Sequence, residues 1–140
     1  MSKVAIVYWS GTGNTEVMAS AVLEGAKEKG AEAEVLMATE FNASQMDHYD
    51  AIAFGCPSMG AEELEESEFA PMFEECVPKL SGKKIALFGS YGWGDGEWMR
   101  NWEENCKANG AVIACDSVIC NEAPDDEAIA DCKALGAALV

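Results

Sequence analysis

The densest capacity for chemistry lies in six consecutive residues, Ser10, Gly11, Thr12, Gly13, Asn14 and Thr15. Four carry a hydroxyl or amide, and the two glycines permit left-handed backbone and close approach. They follow the apolar run Val4-Ala5-Ile6-Val7-Tyr8, too short for a helix, and lead into a segment with helical periodicity. Strand, polar loop and helix in that order turn loop amides and a helix N-terminus towards one point, where an anion such as phosphate sits. No Lys or Arg lies in the loop, so the anion would be held by neutral donors alone.

Two nucleotide loops are excluded. The lysine of G-x-x-x-x-G-K-[ST] is missing, and Glu16 stands where G-x-G-x-x-G needs its third glycine. An exposed turn could share this composition, but two later loops argue against it. They are Cys56-Pro57-Ser58-Met59-Gly60-Ala61-Glu62 and Ser90-Tyr91-Gly92-Trp93-Gly94-Asp95-Gly96. Each sets one large flat or polarisable side chain, Met59 or Trp93, among glycines and acids rather than apolar neighbours. A flat aromatic ligand between those two, with its phosphate in the first loop, follows from the pattern. Cysteine phosphatase chemistry (C-x5-R) does not, because Glu62 holds the arginine position. No general base, nucleophile or metal constellation accompanies the loops, and the single histidine, His48, is expected at the surface without a role.

Elements that place these loops can be read from periodicity. Strands are expected at Val4–Tyr8, Ala33–Met37, Asp50–Gly55, Lys84–Gly89 and Val112–Cys115, the last resuming around Val118–Cys120. Helices are expected at about Thr15–Lys29, Leu64–Val77, Glu97–Ala108 and Pro124–Leu139. The second should bury Leu64, Phe69, Met72, Phe73 and Val77, and the third Trp98 or Met99 with Trp102 and Cys106. Asn42 or Ser44 would cap a short polar segment. Five strands alternating with helices mean a parallel sheet covered on both faces, an α/β fold.

A length of 140 residues suits a single domain spanning 1–140. Mean hydropathy is −0.04, and the longest apolar runs are of about five residues, so no membrane span is expected. With no signal peptide pattern before Val4, the cytoplasm is the expected compartment. Twenty-five acidic against nine basic residues give a formal charge of −16, which disfavours nucleic acid and anionic membrane as partners. Six cysteines without a C-x-x-C pair read as free thiols rather than disulfides, zinc or iron–sulfur ligands. Glu62, Glu63, Glu65, Glu66 and Glu68 crowd beside the second loop. With Asp95 and Glu97 they are expected to ring the ligand's exposed edge and meet a basic patch on a partner.

Tyr8–Thr15 (YWSGTGNT), Gly55–Phe69 (GCPSMGAEELEESEF) and Leu87–Gly96 (LFGSYGWGDG) resemble the flavodoxins, specifically the short-chain type of anaerobic bacteria. The likeness runs from end to end with the motifs in order. It implies a flavodoxin-like three-layer sandwich with a five-stranded parallel sheet of order 2-1-3-4-5, whose ligand site lies where the strand order reverses. It implies non-covalent FMN and a monomeric, low-potential one-electron carrier that shuttles between semiquinone and hydroquinone in place of ferredoxin. Its partners would be ferredoxin-dependent reductases and oxidoreductases with basic docking faces. A small flavin-dependent reductase or a ribonucleotide-reductase-activating flavoprotein is the alternative, but an enzyme needs a substrate cavity where Met59 and Trp93 would cover the ring.

By the same resemblance, Ser10 to Thr15 contact the phosphate and Met59 and Trp93 sandwich the isoalloxazine. Glu62 accepts from N3, Gly92 and its neighbours face the pyrimidine edge, and Asn121 lies near the ribityl or dimethylbenzene side. Pro57, Ser58, Gly60, Ala61, Ser90, Tyr91 and Gly96 complete the set. Gly60 is expected to be a redox-linked switch: a peptide flip would turn its carbonyl to N5, which a glycine takes without steric cost. Pro57 stands where the family often has a hydroxyl or small residue, and Ala61 where Asp or Gly is common.

Overall fold

Strand and helix alternate through the computed structural model, which describes residues 2–59, 63–92 and 94–140. The order is β1 (Lys3–Tyr8), α1 (Asn14–Glu28), β2 (Glu32–Met37), β3 (Ala51–Gly55), α2 (Phe69–Cys76), β4 (Lys84–Tyr91), α3 (Glu97–Ala108), β5 (Val112–Ile113), β6 (Val118–Asn121) and α4 (Asp126–Ala138). All strand pairs are parallel, in the order β2-β1-β3-β4-β5, with β6 also on β4. β5 pairs with the start of β4 (Lys84 opposite Val112) and β6 with its end (Tyr91 opposite Asn121). The fifth place in the sheet is therefore shared by two short strands, as the interrupted pattern after Val112 anticipates. The expected order 2-1-3-4-5 and the flavodoxin-like layering both hold.

Alternation along each strand sorts side chains to two faces. Val4, Ile6, Tyr8, Ala51, Ala53, Ala86 and Phe88 lie under α1 and α4. Ala5, Val7, Ile52, Phe54, Ile85 and Leu87 lie under α2 and α3. The first face is lined largely by alanine at β3 and β4, and its helices approach closely. A methyl on Gly136 of α4 would fall 2.1 Å from the Val22 carbonyl of α1, and one on Gly25 would fall 2.0 Å from that of Lys133. The second face is bulky. Phe69, Phe73 and Trp102 meet there, Trp102 edge-on to both phenyl rings at centroid distances of 5.4 and 5.6 Å.

Several expected boundaries move. α2 starts at Phe69 rather than Leu64, which is only half-buried, and it stops at Cys76, leaving the half-buried Val77 in a 3-10 turn. Pro71 explains the late start. In a helix from Leu64 its ring would strike the Ser67 carbonyl, whereas in the first turn of the real helix it is harmless. β4 runs on to Tyr91, so Ser90 and Tyr91 belong to the sheet and not to the loop. α4 starts at Asp126, capped by Asp125, whose carboxylate accepts the Ala128 amide at 2.8 Å. Asn42, not Ser44, caps the polar segment, and both Trp98 and Met99 are buried.

Candidate functional site

Because the strands run parallel, the segments leaving β1, β3, β4 and β6 emerge at one edge of the sheet. Main-chain hydrogen bonds stitch them together. The Trp9 amide donates to the Gly55 carbonyl at 3.0 Å, Cys56 to Phe88 at 3.1 Å and Ser58 to Ser90 at 3.0 Å. On the far side the Glu122 amide reaches the Tyr91 carbonyl at 2.7 Å. Gly89 has no room for a side chain, since a methyl there would sit 2.2 Å from the Cys56 carbonyl.

The first loop ends at Gly13, whose φ of +96° is the left-handed conformation glycine takes freely. Its amide donates to Ser10 Oγ at 3.0 Å, which leaves the Ser10 hydroxyl proton free to point elsewhere. No side chain caps α1. Its first amide bonded to a helical carbonyl is that of Val17, on Gly13 at 3.1 Å. The amides of Asn14, Thr15 and Glu16 are thus the unpaired donors of a helix start. Thr12 is exposed and Ser10 and Asn14 half-buried around them, while Thr15 is buried beneath. Hydroxyls, amides and a positive helix end in a loop without cations fit a phosphate.

The second loop carries Met59 outward, 37% exposed, an unusual position for a large apolar side chain. It exchanges two backbone hydrogen bonds with Glu63, at 2.8 and 2.9 Å, which fixes where its side chain leaves the chain. A hollow of about 310 Å³ opens beside it, lined by Glu63, Leu64, Glu66 and Ser67 among others. Pro57 and Ser58 are half-buried between Met59 and the strand. A hollow of about 430 Å³ lies elsewhere, against α4. Its polar groups are Cys115, Asp116, Ser117 and Asp131, a poor match to a phosphorylated ligand.

At β4 the expected roles divide. The Ser90 hydroxyl is buried and donates to the Glu122 carbonyl at 2.6 Å, so it braces the last loop instead of presenting itself outward. Asn121 holds the Tyr91 carbonyl at 3.4 Å from the end of β6, and Gly92 is exposed. Gly96 caps α3 with φ +93°, and a methyl on it would meet Ile119 at 2.9 Å. Glu122 was missed by sequence reasoning. It has φ of +57°, the one positive value outside glycine among the described residues, and backbone strain of that kind leaves no sequence signature. Gly60, Ala61, Glu62 and Trp93 lie outside the described residues.

The acidic ring is smaller than expected. Glu65 is buried, and its carboxylate accepts from the amides of Ser67, Glu68 and Phe69 at 2.9, 2.7 and 2.8 Å and from the Ser67 hydroxyl. Burial pushes its pKa up, but those hydrogen bonds outweigh it and hold the group at about 2. Glu68 accepts from Trp9 Nε1 at 2.8 Å. Asp95 pairs with Arg100 at 3.0 Å. Among the described residues, Glu63, Glu66 and Glu97 are exposed carboxylates without such a partner. All six cysteines are free, and burial pushes the thiol of Cys56 up to about 12, away from any nucleophilic role.

Fold and site together define a doubly wound α/β protein with a cation-free, donor-rich loop at its topological switch point. The sequence profile of the flavodoxin family matches residues 6–136. The flavodoxin of Megasphaera elsdenii is 47% identical over 135 residues, 96% of each chain. That of Clostridium beijerinckii is 48% identical over 131 residues, 94% of each. The solution structure of two-electron reduced Megasphaera elsdenii flavodoxin superposes with a TM-score of 0.90 over 97% of both chains. This chain belongs to the flavodoxin family, of the clostridial short-chain type. It is an FMN-binding electron carrier that serves redox partners and is not an enzyme. No helix among the described residues is long and apolar enough to cross a membrane.

Proposed function

We propose that residues 1–140 form one FMN-binding domain acting as a low-potential, single-electron shuttle between cytoplasmic proteins. The observation that carries the phosphate end is the uncapped first turn of α1 behind Ser10–Thr12, with no cation to compete. Ser10, Gly11, Thr12, Gly13, Asn14 and Thr15 take the phosphate there. Met59, presented by its pairing with Glu63, would cover one face of the ring and Trp93 the other. Glu62 and the peptides of Gly60, Ala61 and Gly92 bind the ring's polar edge, with Pro57, Ser58, Tyr91 and Asn121 flanking it.

Bound flavin supplies the ability to take and return electrons one at a time. Glu63, Glu66 and Glu97 oppose added negative charge on a poorly solvated ring, which lowers the potential for the second electron. The same carboxylates face a basic patch on a monomeric carrier's partner. Gly60 would set the first potential by offering its carbonyl to N5. In Gly60→Ala the two one-electron potentials separate that role from simple loss of affinity.

Stepwise dithionite reduction followed by visible spectroscopy tests the reading. Two resolved one-electron steps with negligible NAD(P)H-driven quinone turnover support a carrier. A colourless protein that fails to take up added FMN, or rapid quinone turnover, overturns it.

A further inference from the structure

Trp9 joins two loops that are far apart in sequence. Its backbone amide is on Gly55, and its indole N–H is on the Glu68 carboxylate, 2.8 Å away and 59 positions along the chain. The ring lies over Gly11, since a methyl there would come within 3.0 Å of Trp9 Cη2 and 3.2 Å of Cζ3. Glu68 is itself fixed, because its amide donates to the buried Glu65 carboxylate at 2.7 Å. One chain of contacts therefore runs from a buried carboxylate through Glu68 and the indole to the middle of the phosphate loop.

We propose that Trp9 is a positioning residue that makes the site selective for phosphorylated over unphosphorylated flavin. Clamped by Glu68, the indole roofs Gly11 and holds residues 10–13 in their anion-receiving shape before a ligand arrives. Preorganisation of this kind raises affinity by removing an ordering cost, and it acts only on the group the loop touches. Glu68 also brings a negative charge near a site for a dianion, an opposing effect that the latch must outweigh. The proposal rests on the FMN reading above.

The experiment measures dissociation constants of apoprotein for FMN and for riboflavin, which lacks the phosphate. Trp9→Phe keeps an aromatic ring at this position but loses the N–H, Glu68→Ala removes the acceptor and the charge, and Glu68→Gln keeps an acceptor without the charge. Trp9→Phe should weaken FMN about threefold to tenfold, the range of one net hydrogen bond, and leave riboflavin unchanged. Combining it with Glu68→Ala should add no further loss beyond Glu68→Ala alone, because both break the same bond. Glu68→Gln should bind FMN at least as well as the parent. Equal losses for both ligands, no loss in Trp9→Phe, or full additivity would overturn the latch. Failure of the parent protein to bind FMN would instead overturn the cofactor reading.

Discussion

The Glu65 carboxylate accepts the amide of Phe69 at 2.8 Å, so a buried acid four residues upstream fastens the first turn of α2. The ordinary value for such a group is 4.5 and the folded value about 2. A lowered folded pKa stabilises the fold at pH above the ordinary value, and that contribution is lost as pH falls through the folded one. Glu65→Gln, which keeps an acceptor oxygen without the charge, should cost about 1.5–3 kcal/mol near neutral pH, the range for hydrogen bonds to charged groups. Between about pH 4.5 and 2 the variant should lose less stability than the parent. Parallel urea-midpoint curves across that window would show that Glu65 is no charged cap.

Gly136 allows α4 to lie against α1 at a separation that excludes a side chain. Gly136→Ala should destabilise by about 1–3 kcal/mol through overpacking, despite alanine's better helix propensity. Chemical denaturation reads it directly. A stabilised variant would mean that the helices part without cost.

Thiol chemistry should separate the six cysteines into two groups. Cys56, Cys76, Cys106 and Cys132 are buried, with thiols pushed up to about 12 by burial first of all. Cys115 and Cys120 are half-buried and less strongly raised. A disulfide reagent at mildly alkaline pH should modify at most those two in the native protein and all six after unfolding. Fast native labelling of a third would contradict the burial.

Arg100, the chain's single arginine, offsets Asp95 on the proposed docking side. Arg100→Gln should therefore speed electron transfer to a basic partner at low salt, with a steeper fall past roughly 0.15 M, where the Debye length is about 8 Å. Stopped-flow rates across a salt series decide it. A slower variant at low salt would place the docking face elsewhere.

Most of the architecture was legible because it is written in local terms. The run Ala51-Ile-Ala-Phe54 alternates small and large, and the sheet uses that alternation to seat two unlike faces. The polar loop at Ser10–Thr15 also stands out against its neighbours. What escaped depends on distant partners. Glu65 looked like its exposed neighbours because its amide's contact with Cys56 Sγ at 3.3 Å is set by tertiary packing. Pro71 was a readable stop against a longer α2, but the apolar spacing from Leu64 masked it. The indole of Trp9 and the carboxylate of Glu68 carry no mark of each other in the sequence.

The contact between Val22 and Gly136 also has a meaning in time. β1, in the interior of the sheet, and α1 on its face are made before α4, the helix that seals α1. Until Gly136 is synthesised, the alanine-lined face has half its cover, and its apolar surface stays open to water. Closing a loop that long costs entropy before it returns any burial, so the closing step belongs late in folding. A nascent chain stalled before α4 would be a ligand for chaperones and not a carrier waiting for its flavin.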